Sequence, residues 1–306
     1  MPATLNDRAP KMDWFSTFPH LNDDLLRAIK KSIDGGFRDF TRAWGDPIES
    51  FFSPLQYFLI HSERFLTHTP WPIILLLIAA IAWLASRDWK VVLGSVVTLV
   101  VIGLFDMWDD TMKTISMIFV ATVLSVVIGI PIGIAMSRSD RFQNMINPVL
   151  DVMQTMPSFV YLIPVVMLLG IGKVPGLIAV VVYAIPPVIR LTNLGIRLVD
   201  KDVLEAADAY GSSSWQKLKN VQMPLALPTI MAGINQTIMM ALAMVVIAAM
   251  IGVEGLGQPV LKAIANQYFT LGVFNGLAIV GIAIIFDRVS QAFGHRLQKH
   301  REIVHG

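Results

Sequence analysis

Hydrophobic residues form long runs along this chain from Pro70 onward, separated by short polar stretches. A helix needs about twenty mainly apolar residues to cross the hydrocarbon of a bilayer. The pattern therefore predicts an all-α, polytopic membrane protein with about seven transmembrane helices, at residues 70–86, 89–105, 112–136, 147–170, 174–196, 226–250 and 270–291. Prolines and polar residues interrupt the fourth and fifth spans, which bilayers tolerate where the backbone faces protein or a water-filled path. These two spans thus indicate a translocation route.

Residues 1–69 have a different pattern, with frequent charges and no run long enough to span. Apolar residues recur at helical spacing within 21–33, and an aromatic-rich stretch repeats the theme at 48–66. Both stretches predict amphipathic helices. Such helices lie along the membrane surface or pack on the transmembrane domain, and the pattern favours neither.

The composition agrees with a membrane protein, because 55% of the 306 residues are hydrophobic and only 15% are charged. Soluble domains carry roughly 25% charged residues. The formal net charge of +2 gives no indication of nucleic-acid binding. There is no cysteine, and the six histidines lie outside the spans without paired ligand spacing, so no metal site is expected. No phosphate-binding Gly-rich loop or hydrolase motif is present, so the chain is not expected to be an enzyme.

Basic residues are unevenly divided between the two ends of the predicted spans. One side carries Arg87, Lys90, Arg138, Arg141, Arg190, Arg197, Lys201, Lys217, Lys219, Arg296, Lys299 and Arg301. The other side carries only Lys113, Lys173 and Lys262, with Asp106, Asp109, Asp110 and Glu254. Cytoplasmic loops are enriched in Lys and Arg. The N-terminus is therefore predicted outside and the C-terminus in the cytoplasm.

The longest polar interruption, residues 200–224, lies on the predicted cytoplasmic side and contains the string EAADAYGSSSWQKLKNVQMP. Asp202 is expected to cap a short helix, with Glu205 as its capping-box partner. Gly211 is expected to end that helix in a left-handed conformation. A second helix is expected to begin in the run at 212–214 and to stop at Pro224. The predicted product is a knob of two short helices, which by itself is an ordinary surface helix-turn-helix.

The spacing within this stretch is Glu-Ala-Ala, three residues, Gly, nine residues, then aliphatic, any residue, aliphatic, Pro. It resembles the EAA loop of the membrane subunits of bacterial ABC importers, which docks into a groove of the ATP-hydrolysing subunit. The residues that match are Glu205, Ala206, Ala207, Gly211, Val221, Met223 and Pro224. We call residues 200–224 the coupling segment.

Further strings, at 148–164, 170–176, 185–193 and 225–240, resemble the glycine betaine/proline betaine branch of these importers, and the match extends over 70–291. The resemblance implies a type I importer permease core in the bacterial inner membrane, flanked by an extracytoplasmic tail at 1–69 and a cytoplasmic tail at 292–306. It also implies a homodimer, two ATP-binding cassette subunits and an extracytoplasmic binding protein. ATP-Mg would bind in the partner subunits, and no cofactor is expected on this chain.

Polar residues in two spans are candidates for lining the path: Gln154, Thr155, Ser158, Tyr161, Asn235, Gln236 and Thr237. Hydrogen bonds between helices are the alternative role. Asp151 would be costly at mid-membrane and is expected at the cytoplasmic edge or paired with a base such as Arg190. The motif at 129–133 predicts a kink that serves either as a hinge or for packing.

The outer segment 252–257 resembles a loop that contacts the binding protein or closes the path, with Glu254, Gly255 and Gly257 as its candidate residues. A different class of function, an ion-coupled osmolyte carrier or a channel without an ATPase partner, would favour ionisable residues at mid-span. Here such residues cluster at the ends of the spans. A membrane enzyme has no catalytic constellation in this sequence. The residues do not select one amine among glycine betaine, proline betaine and choline.

Overall fold

A computed structural model describes residues 21–302, without the side chains at positions 295 and 297–302. Expectations that concern 1–20 and 303–306 lie outside the described residues. The chain divides into two compact units, Met1–Ile48 and Glu49–Gly306. The elements of the described chain are all helices: α1 Asp23–His68, α2 Trp71–Ser86, α3 Trp89–Leu104, α4 Trp108–Arg138, α5 Asp140–Thr155, α6 Leu162–Leu169, α7 Lys173–Ala184, α8 Pro186–Arg197, α9 Lys201–Ala209, α10 Ser214–Lys217, α11 Met223–Ala248, α12 Gly257–Asn266 and α13 Phe269–Glu302.

The predicted spans are helical apart from short breaks, which confirms the all-α prediction, but the count of full-length crossings differs from seven. Four helical stretches of the described chain are long and apolar enough to cross, and up to six are if each of two bent pairs is one span. The helices α2 and α3 have 16 residues each. At 1.5 Å per residue they reach about 24 Å, short of the roughly 30 Å of hydrocarbon.

The fourth predicted span is broken rather than straight. Helix α5 ends at Thr155, and the stretch Ser158–Leu169 continues at 110° to it. Pro157 lies at the break and has extended backbone angles. Proline disfavours helical angles in the residue before it and cannot donate an amide hydrogen bond, so the helix stops here and restarts in a new direction.

The core of the second unit is formed where α4, α7, α8 and α11 pack together. Its fully buried side chains are mainly aliphatic or Met, such as Ile118, Leu177 and Met244, with a few small hydroxyl side chains such as Thr192 and Thr237. In a bilayer, helices associate through van der Waals packing because lipid tails are as apolar as the side chains. The fit between these helices is therefore what holds the bundle together.

The motif at 129–133 serves close packing in this structure. A methyl group at Gly133 would lie 2.6 Å from Cβ of Thr192 and 2.7 Å from the carbonyl oxygen of Ile189, both on α8. A methyl group at Gly129 would lie 2.5 Å from Cγ1 of Val188. Small residues let two helix backbones approach in this way. The packing alternative thus describes the contact between α4 and α8.

Helix α1 is continuous over both stretches that the sequence assigns to amphipathic helices. Within the first unit, no side chain described between residues 21 and 48 is buried. Within the second unit, Leu59 is 1% exposed and belongs to the core cluster. Lys173 Nζ lies 2.8 Å from Glu63 Oε1. Residues 49–68 therefore pack on the transmembrane helices, which is one of the two alternatives for that stretch.

We expect Gly133→Ala to lower the stability of the bundle by about 1–3 kcal/mol, because the added methyl group must displace the backbone of α8. Gly94→Ala is the matched control, since no heavy atom of α3's surroundings lies within 4 Å of its added methyl group. Thermal unfolding of the purified protein in detergent measures the difference. Equal melting temperatures for the two variants would contradict this account of the contact.

Candidate functional site

The coupling segment begins with helix α9, which is capped by Asp200. The Asp200 carboxylate accepts a hydrogen bond from the Asp202 amide at 2.9 Å. The expectation that Asp202 is the cap is therefore wrong by two residues. Asp200 has the non-helical backbone angles that a capping residue needs, whereas Asp202 already lies in the first turn.

The corner of the coupling segment is at Gly211, as predicted. Its φ is +75°, in the left-handed region. The Ser212 amide donates to the Ala207 carbonyl at 3.0 Å, and the Gly211 amide donates to the Asp208 carbonyl at 2.9 Å. This pair of bonds is a Schellman motif, which ends a helix while satisfying its last carbonyls.

The second helix starts with a full capping box. Ser213 Oγ accepts from the Gln216 amide, and Gln216 Oε1 accepts from the Ser213 amide. The helix does not stop at Pro224, so that expectation is wrong. The chain remains helical from Ser214 to Ile251 because a π-helical turn, Leu218–Gln222, precedes the proline. The wider turn accommodates a residue that cannot donate an amide hydrogen bond.

The two short helices form a braced and exposed corner. Lys217 Nζ lies 2.5 Å from Asp208 Oδ1 and so joins α10 to α9. No residue of α9 is buried, and Glu205 and Ala206 are exposed while Ala207 is half-buried. Tyr210 is 92% exposed and Trp215 is 65% exposed. Exposed aromatic residues among charged ones are typical of a protein interaction surface.

Towards the membrane, the coupling segment becomes more buried. Val221, Met223 and Pro224 are half-buried, and Leu218 is 2% exposed. Leu218 packs with Ile196 of α8 and with Ala226 and Ile230 of α11. This small apolar cluster attaches the exposed corner to α8 and α11 of the core.

The candidate path residues of the fourth span lie on either side of its break. Gln154 and Thr155 end α5 and are exposed, whereas Ser158 and Tyr161 belong to the 3₁₀ turn beyond it. Tyr161 is buried, and its hydroxyl donates to the Met153 carbonyl. The break at Pro157 therefore separates Gln154 and Thr155 from Ser158 and Tyr161, and the role of these residues in lining the path stays a prediction.

Asp151 and Arg190 form the pair that the sequence predicts. Arg190 Nη2 lies 2.6 Å from Asp151 Oδ1. The pair joins α5 to α8, and the Asp151 side chain is 63% exposed. The acid therefore has a basic partner and access to the surface of this chain.

The triplet 235–237 points in three directions. Asn235 Nδ2 donates to Asp287 Oδ1 at 2.8 Å, and Ser290 Oγ donates to Asn235 Oδ1 at 2.7 Å. Gln236 is exposed, and Thr237 is fully buried. Asn235 thus makes hydrogen bonds between α11 and α13. Sequence reasoning missed Asp287, although a carboxylate inside the last predicted span was a signal for such a partner.

The outer segment is fastened by a row of alternating charges. Glu254 Oε2 lies 3.0 Å from Lys113 Nζ and 3.5 Å from Lys173 Nζ. Lys173 in turn contacts Glu63. The hydrogen bond from Lys113 lowers the pKa of the Glu254 carboxyl below its ordinary value, against the opposing effect of partial burial. The row connects α1, α4 and α7 to the outer segment.

The two outer glycines allow this segment to lie against its neighbours. Gly255 has φ +125°, and a methyl group there would lie 2.5 Å from Thr114 Oγ1. The Leu256 amide donates to that same hydroxyl at 2.9 Å. A methyl group at Gly257 would lie 2.7 Å from the Val245 carbonyl oxygen. The segment therefore closes tightly on α4 and α11, and Thr114 is a contact that sequence reasoning missed.

Comparison with known families places most of the helical core in one family. The family described as "Binding-protein-dependent transport system inner membrane component" matches residues 125–299. The chain belongs to this family. It is therefore a permease component of a transport system, and a multi-pass membrane protein.

Individual relatives extend the match over most of the chain. The glycine betaine/carnitine transport permease protein GbuB of Listeria monocytogenes is 48% identical, over 74% of this chain and 81% of its own length. The glycine betaine/proline betaine transport system permease protein ProW of Escherichia coli is 47% identical, over 79% and 68% respectively. The glycine betaine transport system permease protein OpuAB of Bacillus subtilis is 44% identical, over 88% and 95%.

A solved structure confirms the fold class. A chain of the inward-facing MetNI methionine ABC transporter, in its native crystal form, superposes with a TM-score of 0.56 at 18% identity. The match covers 63% of this chain and 97% of that one. The predicted type I ABC importer permease core is thus confirmed at the level of fold. None of these relatives favours the carrier or channel alternative.

We expect the Glu254 contacts to stabilise the protein at neutral pH and to lose their effect in acid. A carboxyl whose pKa is lowered by folding adds stability above its unfolded pKa, about 4.3 for Glu. That stability is lost as the pH falls through the lowered folded value. Glu254→Gln should therefore unfold at a lower temperature than the unmodified protein at pH 7, and the difference should shrink below about pH 4.

Glu49→Gln is the control for this measurement, because Glu49 has no ion pair in the described structure. A gap between Glu254→Gln and the unmodified protein that stays constant from pH 7 into acid would contradict the role given to the ionised carboxylate.

Proposed function

We propose that this chain is the permease subunit of an ATP-driven, binding-protein-dependent importer of glycine betaine, proline betaine or a related quaternary or methylated amine. The observation that carries the proposal is the 44–48% identity to three permeases named for glycine betaine transport, over 74–88% of this chain. Two of those names add proline betaine or carnitine, so the proposal covers the class of solute rather than one member.

The coupling segment is proposed to dock on an ATPase subunit. Tyr210 and Trp215 offer apolar surface at the exposed corner, and Glu205 offers a charge beside them. Small side chains at Ala206 and Ala207 allow α9 to sit close against a groove. Two copies of this chain with two ATPase subunits, which bind ATP-Mg, form the proposed assembly.

The coupling segment is assigned to the cytoplasm on the strength of its basic surroundings. Residues 1–69 and the outer segment at 252–257 then lie on the extracytoplasmic side, where the outer segment would meet a binding protein that captures the solute. Residues 70–291 form the transmembrane permease domain, and 292–306 form a cytoplasmic tail. A quaternary ammonium group suits an aromatic cage in that binding protein.

The path itself is proposed to run along Gln154, Thr155 and Gln236, which are exposed, and Ser158, which is half-buried. The other three candidates have different surroundings, since Tyr161 and Thr237 are buried and Asn235 bonds to α13. ATP binding would favour an outward-open state because the closed ATPase pair binds the coupling segments in that arrangement only. Solute import then follows from alternation between the two states.

We expect ATP-dependent uptake of labelled glycine betaine into proteoliposomes that contain this permease with its cognate ATPase, when the binding protein is supplied outside. Competition by unlabelled proline betaine, carnitine and choline ranks the solutes. Vesicles with a non-hydrolysable ATP analogue are the control. Absence of betaine uptake by an assembled complex that hydrolyses ATP would contradict the proposed solute class.

We expect Gly211→Val to reduce uptake per ATP hydrolysed. The left-handed conformation costs a residue with a side chain about 1–2 kcal/mol. The equilibrium between the native conformation of the corner and its alternatives should therefore shift by roughly 5- to 30-fold away from the native one. Gly94→Val in α3 is the control, because a Cβ atom added at Gly94 meets no heavy atom of another element within 4 Å. Membrane insertion and copurification of the ATPase are measured in parallel. Normal uptake by Gly211→Val at normal protein levels would refute the role of this corner.

A further inference from the structure

Arg197, the last residue of α8, joins three helices at the end of the bundle that bears the coupling segment. Its Nη2 donates to the Met136 carbonyl at 2.9 Å and lies 2.7 Å from Asp140 Oδ1. Its Nε donates to Asn193 Oδ1 at 3.0 Å. A single guanidinium therefore holds the last turn of α4, the first residue of α5 and its own helix. The planar fork of donors of a guanidinium is well suited to acceptors on three helices.

The same end of α4 also contacts the coupling segment directly. Arg138, the last residue of α4, donates from Nη2 to the carbonyl of Ser214, the first residue of α10. Helix α9 follows α8 after only residues 198–200. The corner between α4 and α5 thus contacts Arg197, three residues before the coupling segment, and Ser214 in the middle of it, although more than 60 residues of chain separate each pair.

Helix α4 connects this corner to the outer segment. Its 31 residues give a length of about 46 Å. Near its other end, Lys113 pairs with Glu254 and Thr114 accepts from the Leu256 amide. Between the two ends, Gly129 and Gly133 keep α4 in close contact with α8. Helix α4 is thus a continuous connection, with Pro131 inside it, from the Arg138 and Arg197 contacts to those that fasten the outer segment.

We propose that Arg197 is a positioning residue for energy coupling: with Asp140 and the Met136 carbonyl, it transmits movement of the coupling segment into α4 and so to the outer segment. This inference rests on the proposed coupling function. The Asp140 side chain is 81% exposed and that of Arg197 is 33% exposed. An ion pair at the surface contributes little to stability. The contacts of Arg197 with Asp140 and the Met136 carbonyl are thus better suited to directing movement than to stabilising the fold.

The first test compares variants of Arg197 with Arg141→Gln in the assembled importer. Arg141 is exposed and lies one residue beyond Asp140. Its side chain makes no ion pair or hydrogen bond in the described structure. Arg197→Gln should lower solute imported per ATP hydrolysed by roughly 2- to 30-fold, with assembly and basal ATP hydrolysis retained. Arg197→Lys and Asp140→Asn, which keep part of these contacts of Arg197, should fall between Arg197→Gln and the unmodified chain. Equal coupling ratios for Arg197→Gln and Arg141→Gln would overturn the proposal.

The second test follows the movement itself and does not depend on the solute. The chain has no cysteine, so single spin labels can be attached at Asp109→Cys, at the outer end of α4, or at Asp202→Cys in α9. Distances between the two copies are measured with and without ATP in nanodiscs. In the otherwise unmodified importer both distances should change. When Arg197→Gln is added, the distance between the two labels at position 202 should still change with ATP. The distance between the two labels at position 109 should change less than it does without Arg197→Gln.

The outcomes separate the two proposals. Movement at both labels without betaine uptake would contradict the proposed solute class only. The role of Arg197 is then decided by the distance change at position 109 in Arg197→Gln. Unaltered movement at Asp109 in Arg197→Gln would overturn the role of Arg197 while leaving the importer function intact. No movement at either label in the unmodified chain would contradict the coupling function, and the Arg197 inference with it.

Discussion

Close approach of helix backbones around α8 is the contact on which the rest of the bundle depends. Gly129 and Gly133 bring α4 against one side of this helix. Gly233 of α11 packs against another side of α8, where an added methyl group would lie close to the backbone of Val188 and Pro187. Lipid gives no hydrophobic drive for helices to associate, so contacts of this kind supply the stability directly. The coupling segment is placed by α8 and α11, and the outer segment by α4 and α11, so both segments depend on the same packing.

The two ends of the bundle use a different chemistry from its middle. The middle is largely aliphatic with a few buried Ser and Thr side chains, whereas the end with the coupling segment has the Arg197 and Arg138 contacts and the end with the outer segment has the row from Lys113 to Glu63. Ion pairs and hydrogen bonds near water can exchange partners at little cost, whereas a close-packed interior resists continuous deformation. In the proposed alternation between two states, the middle would move as rigid helices while the ends change their contacts.

The sequence was sufficient for features that depend on local chemistry. Hydropathy located the apolar helices, Gly211 marked its corner, and the cost of a buried charge predicted the Asp151–Arg190 pair. Features that depend on tertiary surroundings were not accessible. The direction of Asn235 is decided by Asp287, which lies 52 residues away. The continuation of the helix through Pro224 depends on a π-helical turn that the periodicity of a short polar stretch does not reveal.

That π-helical turn, Leu218–Gln222, has a consequence for how this part of the protein tolerates change in length. A π turn contains one more residue than an α turn, and each residue of an α-helix rotates the chain by about 100° around the axis. Loss of a single residue here would convert the turn to α-helix and rotate Trp215 and the rest of α10 relative to α11. Surface loops ordinarily accept insertions and deletions freely. In the π-helical turn, by contrast, the number of residues determines the orientation of α10 relative to α11. We therefore expect this turn to tolerate substitutions but not the loss or gain of one residue.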